Sequence, residues 1–289
     1  MAVITSTNQL AETPAPGRLR YGLFNAATLT EDLGPREIAT GFQFAGIDCG
    51  VARLYDSACP PGDSDIKTFD EGLLYQEADP FWVYSTRQCG LVGHTPEEFS
   101  ETVRRRLLGG EQTQVEAALW GGTAPAVDPN LTGHVGTVTV VSPAPGAGTA
   151  IAALEESFYS AYGYIGTIHV NTVAYAAAAY SNLVEHGDGG KLVTPLGSTW
   201  AFGAGYASTG PAGAAAAAGH VWAFMTPPVW IRRSGIIAQD DPRAFIDRAL
   251  NQYMGLAERV YAATWTCDVV HAVQVPIAAP AVATAPAVP

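Results

Sequence analysis

Lysine is almost missing from this chain. Only Lys67 and Lys191 occur among 289 residues, which carry a formal net charge of −12. Phosphate binding is driven by lysine and arginine, so this composition excludes nucleic-acid binding over the whole surface and leaves room for a local basic patch alone. Cysteine is also scarce. Cys49, Cys59, Cys89 and Cys267 form no CxxC pair and fit no zinc spacing, so they read as reduced, partly buried thiols in a cytoplasmic protein. No apolar run is long enough to span a bilayer. The opening "MAVITSTNQLAETPAPGRLR" lacks a charged start followed by an apolar core, so no signal peptide is read. No internal repeat is visible.

Apolar residues are plentiful, at 48%, enough for a sizeable core, and 31 glycines with 20 prolines imply many turns. Residues 1–45 hold no sustained period and read as an extended arm. "FQFAGIDCGVARLYD" (42–56) and "FWVYSTRQC" (81–89) have strand composition. Between them the polar, acidic "SACPPGDSDIKTFDEG" makes the tip of a long hairpin. The clearest helix is "TPEEFSETVRRRLLGGEQTQVEAALWGG" (95–122). Thr95 is its N-cap, Pro96 its first residue and Glu98 the partner in a capping box. Gly109 and Gly110 interrupt it, at a cost of about 1 kcal/mol each relative to alanine, so a bend or weak point is expected there. A second helix is predicted over 149–163, ending at Gly163, and a third over 171–187. Short strands follow in "KLVT", "STWAFGAGY", "HVWAFMT" and "PVWIRRSGII". "DPRAFIDRALNQ" (241–252) reads as a short helix. "LAERVYAATW" and "DVVHAVQV" read as a closing antiparallel pair, before the Ala/Pro-rich tail 276–289.

The familiar chemical signatures fail. "AFGAGYAST" has Gly203 and Gly205 but Ser208 at the third fingerprint position, and no helix is predicted after it. There is no P-loop, and Ser208 lacks the flanking glycines of a nucleophile elbow. These glycines therefore read as turns and points of close backbone approach. The six histidines form no close metal pair, and His169 and His271 lie in strand-like runs where a hydrogen-bonded structural role is the ordinary one. No catalytic residue, cofactor site or metal site is assigned. Basic clusters occur at Arg104, Arg105 and Arg106 and at Arg232 and Arg233. Two readings stand for them: a solvated or intersubunit salt-bridged face, or local contact with a nucleic acid. Asp63, Asp65, Asp70 and Glu71 make the hairpin tip acidic without calcium-loop spacing, which leaves solvation or pairing with a neighbour's arginines.

The order of elements, from about residue 40 to 275, resembles the major capsid proteins of tailed bacteriophages, with the Hong Kong 97 fold. "TPEEFSETVRRRLLGGEQTQVEAALWGG" resembles that family's spine helix. "GYIGTIHVNTVAYAAAAYSNLVEHG" with "KLVTPLGSTWAFGAGY" is similar to the axial-domain series of actinobacterial-phage capsid proteins. "HVWAFMTPPVWIRRSGI" resembles the strand leaving that domain. The resemblance implies an α+β fold. Its parts would be an N-terminal arm (1–45), an E-loop hairpin region (46–92), a peripheral domain with the spine helix (93–147), an axial domain (148–235), a return to the peripheral domain (236–275) and a tail (276–289).

It further implies a non-enzymatic protein that assembles with copies of itself, as hexamers and pentamers, into an icosahedral shell around double-stranded DNA bound without sequence specificity. Scaffolding, portal and decoration proteins are the further partners it implies; no membrane is involved, and the location is the virion capsid, assembled in the host cytoplasm. The chain starts at Met1 without room for an N-terminal scaffolding segment, so scaffolding would be separate or absent. Lys67, Asp70, Glu71, Arg104, Arg105, Arg106, Arg232 and Arg233 are the candidate contacts with other subunits or with DNA. Lys67 is not expected to crosslink. Two alternatives are an encapsulin-like compartment of the same fold and a soluble hydrolase using His169 or His220.

Overall fold

A computed structural model describes residues 17–46, 74–90, 95–121, 127–133, 138–142, 144–207, 209–238, 246–247, 249 and 252–277. In chain order these form α1 (Leu23–Ala26), β1 (Thr28–Thr30), α2 (Pro35–Thr40), β2 (Phe42–Gly46), β3 (Leu74–Ala78), β4 (Phe81–Gly90) and the long α3 (Pro96–Gly121). Then come β5 (Thr139–Val140), α4 (Ala147–Tyr162), β6 (Thr167–Asn171), α5 (Tyr175–Tyr180), β7 (Glu185–His186), β8 (Leu192–Val193) and β9 (Thr199–Gly203). The last are β10 (His220–Thr226), β11 (Val229–Arg233), β12 (Ile237–Ala238), β13 (Ile246–Asp247), β14 (Gln252–Trp265) and β15 (His271–Pro276).

Two larger sheets organise the molecule. In one, β14 is the hub: β4 pairs along one side of it, while β11, β12 and β13 share the other, with β1 beyond β11. In the other the order is β5-β15-β10-β6-β9-β8-β7, with parallel pairs at β6/β9 and β5/β15. The chain passes from the second sheet to the first between β10 and β11, where Pro227 and Pro228 cannot both continue a ladder. It passes back between β14 and β15. These last two strands therefore lie in different sheets, so the antiparallel closing pair expected from the sequence does not form. Both had the right alternation, and alternation does not say which strand is the neighbour.

Helix α3 starts where its chemistry requires. Thr95 Oγ1 accepts from the Glu98 amide at 3.2 Å, and the Glu98 carboxylate accepts from the Thr95 amide at 3.1 Å. The helix continues unbroken through Gly109 and Gly110. Its Phe99, Val103, Leu107, Val115 and Leu119 face the first sheet's core together with Phe81, Val83, Ala257 and Tyr261. Helix α4 lays Ile151, Leu154, Phe158 and Tyr162 on the second sheet, against Ile168, Val170, Ala223 and Val273. It stops at Gly163, whose φ of 81° is the left-handed cap a glycine supplies.

The third predicted helix is shorter than its apolar run. It ends at Tyr180, and Asn182, at φ 54°, takes the left-handed turn that asparagine tolerates. Most of 241–252 lies outside the described residues; of those described, 246–247 and 252 are in strands and 249 is in a turn, so none is in a helix. Cys267 is disulfide-bonded, which corrects the reading of four free thiols.

Candidate functional site

The apolar stripe of α3 recurs every four residues, and Glu111 occupies the next place in it. Its side chain is 0% exposed. Burying a lone carboxylate costs several kcal/mol, so partners are obligatory. Arg18 Nη2 stands 2.8 Å from Oε1, Arg259 Nη1 donates to Oε2 at 3.1 Å, and the Tyr261 hydroxyl donates to Oε2 at 2.6 Å. Arg233 Nη1 lies 3.7 Å from Oε1. Glu31 closes the outside of the cluster, 3.1 Å from Arg233 and 3.6 Å from Arg259. Burial, with the Glu111 charge beside it, pushes the Tyr261 hydroxyl upward, so it remains a donor.

One turn and a half further on, Glu116 is also buried. It accepts from the Leu23 amide (3.1 Å), the Gln112 side chain (3.0 Å) and the Gly205 amide (3.0 Å). Burial pushes its carboxyl upward; the amide donors pull the other way and do not cancel the rise. Gln112 also donates to the Leu19 carbonyl at 3.3 Å. One face of α3 thus holds the N-terminal segment at Arg18, Leu19 and Leu23, and the loop after β9 at Gly205. Gly205 is there for proximity: a Cβ on it would stand 2.0 Å from the Thr113 carbonyl oxygen. The close-approach reading of the glycine-rich stretch holds at this residue.

Three of the described histidines have structural surroundings. His169 is fully buried, with Nδ1 2.9 Å from the Tyr206 hydroxyl and Nε2 3.0 Å from the Thr226 hydroxyl. Burial lowers its pKa to about 3, so the imidazole is neutral, and both nitrogens are already engaged. His271 Nδ1 is 2.9 Å from Ser157 Oγ, with its pKa lowered by burial. His220 Nδ1 meets the Ala218 carbonyl at 3.0 Å. Among the described residues no group of three or more His, Cys, Asp or Glu is placed to hold a metal ion, and no helix is long and apolar enough to cross a membrane.

Of the eight residues singled out in the sequence, Lys67, Asp70 and Glu71 lie outside the described residues. Arg104, Arg105 and Arg106 sit on the exposed side of α3. Arg105 pairs with Glu101 at 3.1 Å, and Arg106 reaches the Thr86 carbonyl at 3.4 Å. Arg232 and Arg233 are elsewhere, on β11 and mostly covered. Arg232 pairs with Asp32 at 3.0 Å and lies over the Phe42 ring at 4.9 Å, and Arg233 joins the Glu111 cluster. The Arg232 guanidinium holds the Asp32 carboxyl below its ordinary value. The structure does not bring the two basic clusters together. Glu111, Glu116, Arg18, Arg259 and Tyr261 were not singled out. The available signal was an acid occupying a place in the apolar stripe of α3.

Large apolar side chains also point outward. On β4, Trp82 is 48% and Tyr84 66% exposed. They stand opposite Val260 and Glu258 of β14, on the face turned away from α3, since Gly255 of the other set packs against Phe99 and Val103. Met254 and Ile237 extend this patch. On the second sheet's side, Tyr164, Ile165 and Leu196 are exposed at one end, and Val173, Tyr175 and Tyr180 near α5.

No family model and no characterised protein matches this sequence. Solved structures do match. The capsid of the native GTA particle is 11% identical, with a TM-score of 0.58 over 94% of this chain and 96% of that one. The holo-SrpI encapsulin complex from Synechococcus elongatus PCC 7942 is 10% identical, with a TM-score of 0.54 over 94% of each chain. Mycobacterium phage Cain gives 12% identity and a TM-score of 0.54 over 94% and 96%. The fold is accordingly α+β, of the Hong Kong 97 capsid type.

Proposed function

We propose that this chain is a shell-forming structural protein, the major capsid protein of a tailed bacteriophage. The observation that supports the reading is the likeness of fold to the capsid of the native GTA particle over 94% of this chain and 96% of that one, which leaves little of either chain outside the shared fold. Exposed Trp82, Tyr84 and Met254 support it. Large apolar residues left exposed on one sheet face are what a surface covered by another copy requires.

On this reading the described body is a rigid tile, and the chemistry is association. Copies meet as hexamers and pentamers, and modest contacts repeated by symmetry close an icosahedral shell around double-stranded DNA. The division into arm, E-loop, peripheral domain, axial domain and tail goes with the same reading. So do assembly in the host cytoplasm, an actinobacterial host, and scaffolding, portal and decoration partners. Arg104–Arg106, exposed on α3, are available to a neighbouring acidic segment or to DNA. Lys67, Asp70 and Glu71 are assigned to intersubunit contact. Arg232 and Arg233 serve chiefly to hold the acids of the N-terminal segment. A chain of net charge −12 would hold its genome loosely, since a strongly attractive wall would impede release.

The encapsulin-like compartment stands as the second reading because that structure matches at a similar TM-score. A hydrolase based on His169 finds no support in an imidazole engaged at both nitrogens and sealed from solvent. The test is sedimentation of the purified protein beside a Trp82→Glu/Tyr84→Glu variant. The natural chain is expected to form fast-sedimenting particles; the variant should keep its circular dichroism and stay small. Natural chain that stays small under all assembly conditions contradicts the proposal. Nucleic acid inside the particles favours the capsid, enclosed protein the compartment.

A further inference from the structure

A groove of about 680 Å³ lies between the start of α4, the outer side of α5 and the end of β15. Its walls include Gly146, Ala147, Ala176, Tyr180, Pro276 and Ile277, and the exposed surface inside it is mainly apolar. The size is that of a ligand pocket, but no charged side chain lines it, and its polar side-chain groups are the hydroxyls of Thr149, Tyr180 and Ser181. Two features narrow the choice of occupant. Five of the eleven wall residues are glycine or alanine, which leaves room for a chain with small side chains to lie close to the backbone. One wall residue, Tyr180, is an aromatic left 75% exposed.

The chain itself carries a segment of that description. Pro276 and Ile277 form part of the wall, and the sequence then continues as "AAPAVATAPAVP", residues 278–289, with six alanines, three prolines, two valines, one threonine and no charge. Such a composition favours the polyproline II conformation, in which 12 residues reach about 37 Å. Aromatic-lined grooves take proline-rich segments in that form, because little entropy is lost and the rings stack on proline. The segment begins at the groove, so its local concentration there is on the order of millimolar, well above that of any free partner in dilute solution.

We propose that this groove is the docking site of the chain's own C-terminal segment 278–289, bound in the same copy, with Tyr180 stacking on a proline. The assignment is independent of the shell reading and stands or falls separately from it. Three measurements test it.

The first compares amide exchange of residues 146–150 and 175–181 in the full chain and in a chain ending at Ile277. Truncation is expected to speed exchange there by about tenfold or more, with the β10 strand unchanged as the internal reference. The second adds the synthetic peptide AAPAVATAPAVP to the truncated chain, which should restore protection in a saturable way. The third is Ala176→Trp in the full chain. It fills the groove from an exposed position and should speed exchange of the amides of 278–289 without lowering the melting temperature. Should the truncated chain fail to fold, this variant carries the test alone. Groove exchange indifferent to truncation, a peptide without effect, or tail exchange untouched by Ala176→Trp overturns the proposal. So does groove protection that follows protein concentration and ignores the tail, which would assign the groove to a second copy.

Discussion

The two sheets solve the problem of buried polarity in different ways. Under the sheet built on β14, the interior holds formal charge: Glu111 and Arg259 are buried as a hydrogen-bonded pair, and the N-terminal segment supplies Arg18 and Glu31 to complete the set. Under the sheet built on β10 and β6, the buried polar groups are neutral or meet neutral partners. His169 sits between two hydroxyls, and Glu155 accepts from Thr194 at 2.6 Å. The first arrangement joins segments far apart in sequence and depends on each of them being present. The second takes its hydrogen-bond partners from the sheet, its loops and α4, and through Tyr206, whose ring lies 5.0 Å from that of Trp120, it touches α3. The N-terminal segment is thus built into the first interior, and it also reaches the second sheet: the Phe202 amide donates to the Tyr21 carbonyl at 2.9 Å, and Lys191 Nζ donates to the Ala26 carbonyl at 3.0 Å.

Four substitutions or conditions break or sharpen that contrast. The largest effect is expected for Glu111→Ala, which leaves the covered guanidinium groups of Arg233 and Arg259 with the half-exposed Glu31 as their remaining acid in the cluster and should cost about 3–5 kcal/mol in urea denaturation. If instead the cost falls below that of Thr95→Ala, the cluster is not holding this half together.

In the other half, acid should act through His169. His169 has a folded pKa of about 3 against an ordinary 6.5, so the unfolded chain binds the extra proton between those values. Its contribution is therefore complete above about pH 6.5 and is lost as pH falls toward 3, at about 1.4 kcal/mol per pH unit. Going from pH 6.5 to 4.5 should thus cost roughly 2–3 kcal/mol, and His169→Gln should flatten that slope. An unchanged slope in the variant would remove His169 from the account.

At the junction, Gly205→Ala forces a Cβ against the Thr113 carbonyl and should cost about 1–3 kcal/mol, together with faster exchange at the Leu23 amide. Thr95→Ala, which removes one cap of α3, should cost about 1 kcal/mol and leave both interiors as they are.

Local features were the legible ones. The α3 cap, the Gly163 stop and the strand at β4 follow from residues within a few positions of each other, and the sequence specifies such contacts directly. The placing of β14 and β15 in separate sheets was not legible, because strand pairing is decided by distant partners that share the same alternation. The α5 run stopped early for a reason that a run of alanines conceals and Asn182 reveals.

The central cluster was hidden in another way. Glu111 follows directly on Gly109 and Gly110, and its spacing puts it in line with Leu107 and Val115. Its partners Arg18, Arg233 and Arg259 come from three other places in the chain. Arg232 and Arg233 were noticed for their charge, and the acids that neutralise much of it lay two hundred residues away.

The most direct test of the account is electron microscopy of the purified full-length protein under assembly conditions. The account predicts closed particles in which five- and six-fold clusters of this fold tile a shell, with Trp82 and Tyr84 covered by neighbouring copies. A uniform population of single chains, with that face open to solvent, would contradict it.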